Sequence, residues 1–310
     1  MISRRNIRIK VMQSLYANYT TEGLKKEEVL AAYDETVRYA YTLMYYQLFL
    51  LGKIAEHSQD DLLKRQKKLL PTDFDKQFTA KLFNNPVTQR IIKNKKINEV
   101  AEKYGFKDIL SEDFTKKLYK TFSLMPEYNE YVLNGSTPED HQNIILLLYK
   151  DLCKQEFFND TIEDYFFNWQ DDQSIVIGTI KKIIKDFKDQ SDISDDYGPS
   201  DESTHDFGRE LLKYVLVNNE SLEEILKPLI ENWDLDRVAT VDMTLIKMSV
   251  GEMLIFPTIP TKVSINEYVE LTKTYSTDKS KDFVNGILDK VLHTLLEKNL
   301  ISKSGRGLVE

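Results

Sequence analysis

The chain has a single cysteine, Cys153, among 310 residues, which excludes an internal disulfide and a thiolate metal cluster. Cys153 lies in the helix-like run IILLLYKDLCKQEFF with no histidine arranged beside it. A small buried filler is the reading, not a nucleophile. Glycine and proline are scarce, at 11 and 8, strand-like alternation is absent, and apolar residues recur at i, i+3 and i+4. That pattern predicts an all-α protein. Long apolar runs are missing as well. Tyr39–Leu51 is the longest worth testing, and its 13 residues fall short of the roughly 20 that a spanning helix needs. No secretory leader pattern is visible, so the expected location is the cytoplasm. There is no G-x-S-x-G, no GKS/T loop and no H-E-x-x-H, and His57, His141, His205 and His293 are scattered without ligand spacing. No metal, cofactor or catalytic residue is expected.

The net charge of −8 looks wrong for a nucleic-acid binder, but its distribution is uneven. Residues 186–206 hold eight acids against one lysine. Ahead of Glu22 stand Arg4, Arg5, Arg8 and Lys10 with no acid among them. Phosphate binding depends on a local field rather than on the sum over the chain. The acidic total therefore does not exclude RNA.

Five segments are expected: a basic N-terminal helix at 1–20, an inserted helical region at 21–187, an acidic linker at 188–207, a compact helical module at 208–301 and a flexible tail at 302–310. The linker reading rests on an Asp/Ser/Gly-rich stretch around Pro199 with no apolar period. One or two long helices are expected between Val29 and Leu70, with further helices from Pro138 to Phe187. A weak echo links 149–183 (YKDLC, WQDD, TIKKI) to the later GRELL, WDLD and TLIKM. Chance and a degenerate duplication account for it about equally well.

Ser3 is the expected N-cap of the first helix. Steps of about 100° place Arg4 and Arg8 on the same arc as Val11, Leu15 and Met12. A buried arginine pair without acids would be costly, so the first two turns are expected to project beyond the core. There the guanidinium groups can meet phosphates. In the module, helices are expected at Phe207–Val217, Leu222–Glu231 and Arg237–Phe256. Trp233–Asp236 is read as a turn, with Asp234 or Asp236 as cap of the third of these helices. Ser264-Ile-Asn-Glu267 reads as a capping box, with Val263 and Tyr268 as its staple. Lys279, Lys281 and Phe283 open the last helix, where lysines plus an aromatic can hold a phosphate and stack a base. A solvated end over a core Phe283 is the plainer alternative.

The run KVSINEYVELTKTYSTDKSKDFVNGILDKV (Lys262–Val291) resembles the closing signature of the NusB antitermination family, INE-x-VELAK followed by DKS-x-x-FVNGVLDK. WDLDRVATVDMTLIKMSVGEML (Trp233–Leu254) and RRNIRIKVMQSLY (Arg4–Tyr16) are similar to two further blocks of that family, in the same order. The resemblance implies a helical bundle, no enzymatic activity, no cofactor and no membrane. It implies antitermination on ribosomal RNA operons by binding a boxA-type single-stranded RNA. The ribosomal protein NusE is the implied partner, within the RNA polymerase antitermination complex. By position, it implies RNA contacts at Arg4, Arg5, Arg8, Lys279, Lys281 and Phe283, and partner contacts at Tyr16 and Asp242.

The chain departs from the family pattern at Asn6, Lys247 and Gly251, and in about 190 residues placed between the opening helix and the module. In those residues the cluster Arg90–Lys96 is either a solvated charge run or an extension of the RNA path. Competing readings are a helical scaffold that lost RNA binding and an accessory of an rRNA-modifying enzyme. A fused cytosine methyltransferase would need a glycine-rich loop after a strand and a second cysteine, and the chain has neither.

Overall fold

In a computed structural model, the described residues are 3–186, 200–230, 238–277 and 279–308, and none of them forms a strand. The chain divides into two compact units, one of Tyr39–Gly198 and one of Ile2–Arg38 with Pro199–Glu310. No described helix is long and apolar enough to cross a membrane.

The opening helix α1 (Arg4–Thr20) is capped as its sequence predicts, Ser3 accepting the Asn6 N–H. Helix α2 (Lys26–Gln66) is a single element of 41 residues. In the Tyr39–Gly198 unit, short helices follow one another: α3 (Asp73–Gln77), α4 (Lys81–Asn84), α5 (Pro86–Lys93), α6 (Lys95–Lys103) and α7 (Phe106–Ile109). Then come α8 (Glu112–Ser123), α9 (Pro126–Asn134), α10 (Pro138–Leu152), α11 (Glu156–Tyr165) and α12 (Trp169–Lys185). Prolines at the first position of α5, α9 and α10 pre-set the helical φ where no N–H is needed. The core of this unit is aromatic, built on Tyr46, Phe106, Phe122, Tyr128, Phe158 and Trp169.

The second unit holds α1, the start of α2, α13 (Asp201–Ser203), a π-helical turn (Thr204–Arg209), α14 (Glu210–Val217), α15 (Asn219–Ile230), α16 (Thr240–Ile255), α17 (Thr261–Tyr275) and α18 (Ser280–Glu297). Helix α16 is its hub, packed by α1, α14, α15, α17 and α18. Its buried face is therefore not a single apolar ridge. Asp242, Thr244, Lys247, Ser249 and Glu252 are buried together with Leu245, Met248 and Met253, because a central helix has no solvent face to give its polar residues.

The acidic stretch differs from the expected loop. Residues 188–199 lie outside the described part, but 200–207 are helical: Ser200 accepts the Ser203 N–H and opens α13, which runs into the π turn. That turn is clamped. Tyr33 Oη donates to the Thr204 carbonyl at 2.8 Å, and a Cβ on Gly208 would lie 2.0 Å from Tyr33 Oη and 2.4 Å from Ile7 Cγ2. Only glycine allows that approach, which ties α1, α2 and α14 together.

The tail also differs from the expected flexible segment. Lys303 Nζ donates to the Met253 and Phe256 carbonyls at 2.9 and 3.0 Å, and the Ser304 N–H donates to the Pro257 carbonyl. Orphan carbonyls at the end of α16 need donors, and the tail supplies them. The expected turn at Trp233–Asp236, with its capping aspartates, lies outside the described residues.

Candidate nucleic-acid interface

The arginines of α1 meet three different environments. Arg4 is about half exposed, 3.3 Å from exposed Glu202, with its guanidinium over the Phe207 ring. Arg5 forms a two-pronged pair with Glu267 of α17, Nε–Oε2 at 3.0 Å and Nη2–Oε1 at 3.1 Å, and its side chain stays 49% exposed.

Arg8 is buried, which corrects the expectation that the first two turns project beyond the core. Its Nη2 and Nε donate to Glu252 at 2.6 and 2.8 Å, and Nη1 lies 3.4 Å from Glu267. Phe207 and Tyr268 stack on its guanidinium. The premise that no acids face it fails, since Glu252 comes from α16 and Glu267 from α17. Burial alone would lower the Arg8 pKa, but the Glu252 bonds outweigh it and raise Arg8 above its ordinary value. In this state Arg8 presents no guanidinium edge to a ligand.

The expected capping box is corrected too. Helix α17 begins at Thr261, after Pro260, so Ser264 sits inside it and is fully buried. Its hydroxyl donates to Glu252 Oε1 at 2.7 Å, and Tyr268 Oη donates to Oε2 at 2.8 Å. Glu252 thus accepts four hydrogen bonds, filling the capacity of a carboxylate. Glu267, read as the far end of the box, holds Arg5 instead.

At the other end of the module, Lys279 is exposed while Lys281 and Phe283 are half-buried. The core side of α18 is Val284, Ile287, Leu288, Val291 and Leu295, so Phe283 is not a core residue. Asp278 lies outside the described residues. Helix α17 carries the acids that meet Arg5. Its Glu270 is held below the usual carboxylate range, first by a hydrogen bond from Lys273 and also by the charges of Arg5 and Lys281. One carboxylate therefore feels both α1 and the start of α18.

Tyr16 is 41% exposed. Asp242 is buried, its Oδ1 accepting no hydrogen bond among the described residues, so it is not the surface contact expected of it. Lys247, at the family's arginine position, is buried with Nζ 2.6 Å from Glu223 and 2.7 Å from Asn219, over the Tyr19 ring. That site needs one compact cation rather than a planar fork. Gly251 leaves room for Tyr214 and Val215 of α14, which a Cβ would approach to 3.2 and 3.3 Å.

The model of the NusB family matches residues 164–293. A transcription antitermination protein NusB of Salinibacter ruber is 39% identical over 109 residues, covering 35% of this chain and 68% of the relative. The chain belongs to the NusB family. The protein of the same description from Chloroherpeton thalassium is 40% identical over 111 residues, covering 36% of this chain and 53% of that NusB. That of Methylacidiphilum infernorum is 42% identical over 97 residues, covering 31% and 68%. No solved structure matches the chain. The NusB match begins at residue 164, upstream of the expected module start at 208, and does not include α1. The cations at Lys279 and Lys281 lie inside the matched region; Arg4, Arg5 and Arg8 lie outside it.

Proposed function

We propose that this chain is a non-enzymatic, cytoplasmic transcription antitermination factor for ribosomal RNA operons. It binds a boxA-type single-stranded RNA together with the ribosomal protein NusE, within the RNA polymerase antitermination complex. The observation that carries the reading is the NusB family match over residues 164–293, which takes in Lys279, Lys281 and Phe283 at the start of α18. Arg4, Arg5, Lys279 and Lys281 are the phosphate-contacting cations, with Phe283 beside them for a base. Arg8 is a positioning residue that fixes α1 on α16. Tyr16 is the exposed contact for the protein partner. The inserted region 21–187, the linker and the module 208–301 are the working divisions of the chain, with α2 shared between them.

A titration of labelled boxA-like RNA, with and without NusE, tests this. Binding is expected to be salt-sensitive and tightened by NusE. Arg4→Ala with Arg5→Ala weakens it and makes the log–log salt slope shallower by about 1.4, at roughly 0.7 per lost phosphate contact on a single strand. Absence of binding under both conditions overturns the reading in favour of a scaffold that kept the fold alone.

A further inference from the structure

The Tyr39–Gly198 unit is itself acidic, with 22 lysines and arginines against 26 acids, but one stretch of it is strongly basic. From Lys64 to Asn98, ten lysines and arginines stand against two aspartates, a local +8 within a net −8. Both acids are already engaged. Buried Asp75 pairs with Arg65 and Lys68 at 2.7 Å each, and Asp73 pairs with Lys76 at 3.2 Å. Between Asp75 and Glu99 there is no further acid. Exposed lysines are densest at the corner where α5 turns into α6: Lys93, Lys95 and Lys96. Lys93 and Lys96 have no acidic partner among the described residues, and Lys95 reaches Glu99 only at 3.8 Å.

The corner is rigid. Val87 and Ile91 of α5 and Ile97 and Ala101 of α6 are buried, and Asn94 in the turn accepts the Ile97 N–H at 2.9 Å. The lysines therefore stand on a fixed backbone. Helix stability does not explain them. Lys95 and Lys96 occupy the first turn of α6, which holds no acid, and cations there oppose the helix dipole. Their charge gives the corner a net positive field ahead of Glu99 and Glu102 on α6, suited to a polyanion. A protein partner would want an apolar anchor at the centre of its contact; α5 and α6 expose no large apolar side chain, and the exposed Leu69 and Leu70 of the basic stretch precede both helices. Lysines on flexible stems fit phosphates taken without regard to base.

We propose that the α5–α6 corner, through Lys93, Lys95 and Lys96, is an RNA-backbone contact that takes single-stranded phosphates without reading bases. This rests on the reading above that the chain binds RNA, and it assigns the inserted unit a share in that binding.

The full chain is titrated by fluorescence anisotropy with a short boxA-like RNA and with the same element extended by flanking uridines, over a range of KCl. Wild type is expected to bind the extended RNA more tightly. Lys93→Glu with Lys95→Glu and Lys96→Glu removes that gain, about tenfold, and makes the salt slope on the extended RNA shallower by about 2. The short RNA is bound as before. The glutamine triple variant, checked by circular dichroism, gives the same direction should charge reversal disturb the fold. No gain from extension in wild type, or a triple variant equal to wild type on both RNAs, overturns the proposal. Loss of short-RNA binding in wild type, with an intact lysine-dependent gain on the long one, sinks the α1 reading but not this one. Binding of neither RNA sinks both.

Discussion

Arg8 and Glu252 meet side by side in the interior, with Nη2–Oε1 at 2.6 Å and Nε–Oε2 at 2.8 Å. Removing one partner of a buried pair strands the other charge, at about 3–5 kcal/mol. Arg8→Ala is expected to cost that much in urea unfolding, and Arg8→Met with Glu252→Gln to recover part of it. A loss below about 1 kcal/mol, as for a solvent-exposed ion pair, would mean that Arg8 is at the surface. The RNA affinity of Arg8→Ala falls with the docking of α1, not with one phosphate contact.

Ser264 separates two roles that one motif can suggest. At an N-cap, Asp serves as well as Ser, and Ala is worse. Beside Glu252 Oε1 at 2.7 Å, an aspartate instead sets one buried carboxylate against another. Thermal unfolding is expected to rank Ser above Ala above Asp. The alanine should cost about 1.5–3 kcal/mol, as for a hydrogen bond to a charged group. Asp equal to Ser, with Ala below both, restores the capping box.

The helices were legible because an amphipathic period of 3.6 survives wherever a helix has one wet face. Ser3 at α1 is a local capping signal, and α2, buried on every side over residues 40–52, was legible from a long run without proline. Where a helix is enclosed the signal fails, and α16 hides Asp242, Lys247 and Glu252 among its apolar residues. Arg8 could be placed on the core arc but not paired, because Glu252 stands 244 residues away in sequence. A signal was present in the Glu252 and Glu267 positions of the two family blocks, acids with no local partner facing an arginine helix with no local acid. The ordered tail was beyond reading, since Lys303 is held by backbone carbonyls that sequence does not display.

Cys153 closes α10 and is half-buried. Burial pushes its thiol up to about 11, against opposing pulls from Tyr149 and Lys181. The fold thus favours the protonated form, and that preference, complete below the ordinary thiol range, is lost as pH rises through about 11. Alkylation by iodoacetamide at pH 8, followed by mass spectrometry, is expected to run about a hundredfold slower in the native protein than in urea. Equal rates in the two conditions would show an exposed, ordinary thiol.

Glu267 holds Arg5 by two bonds and lies on the face assigned to RNA. A neighbouring carboxylate both occupies the guanidinium edge and repels incoming phosphate. Glu267→Gln keeps the shape and removes the charge. Because Arg5 is half exposed, its share of the stability change should stay within about 1 kcal/mol, and the 3.4 Å contact of Glu267 with buried Arg8 adds to it. RNA affinity at low salt should rise about two- to fivefold, the effect of removing one unit charge near a phosphate in a solvent-screened setting. The rise should fade with added KCl as screening shortens the reach of the charge. In an Arg5→Ala background the same substitution should give a smaller gain, because no fork remains to be released. Equal gains with and without Arg5 would show that Glu267 acts through repulsion alone, and no gain in either would remove Arg5 from the RNA face.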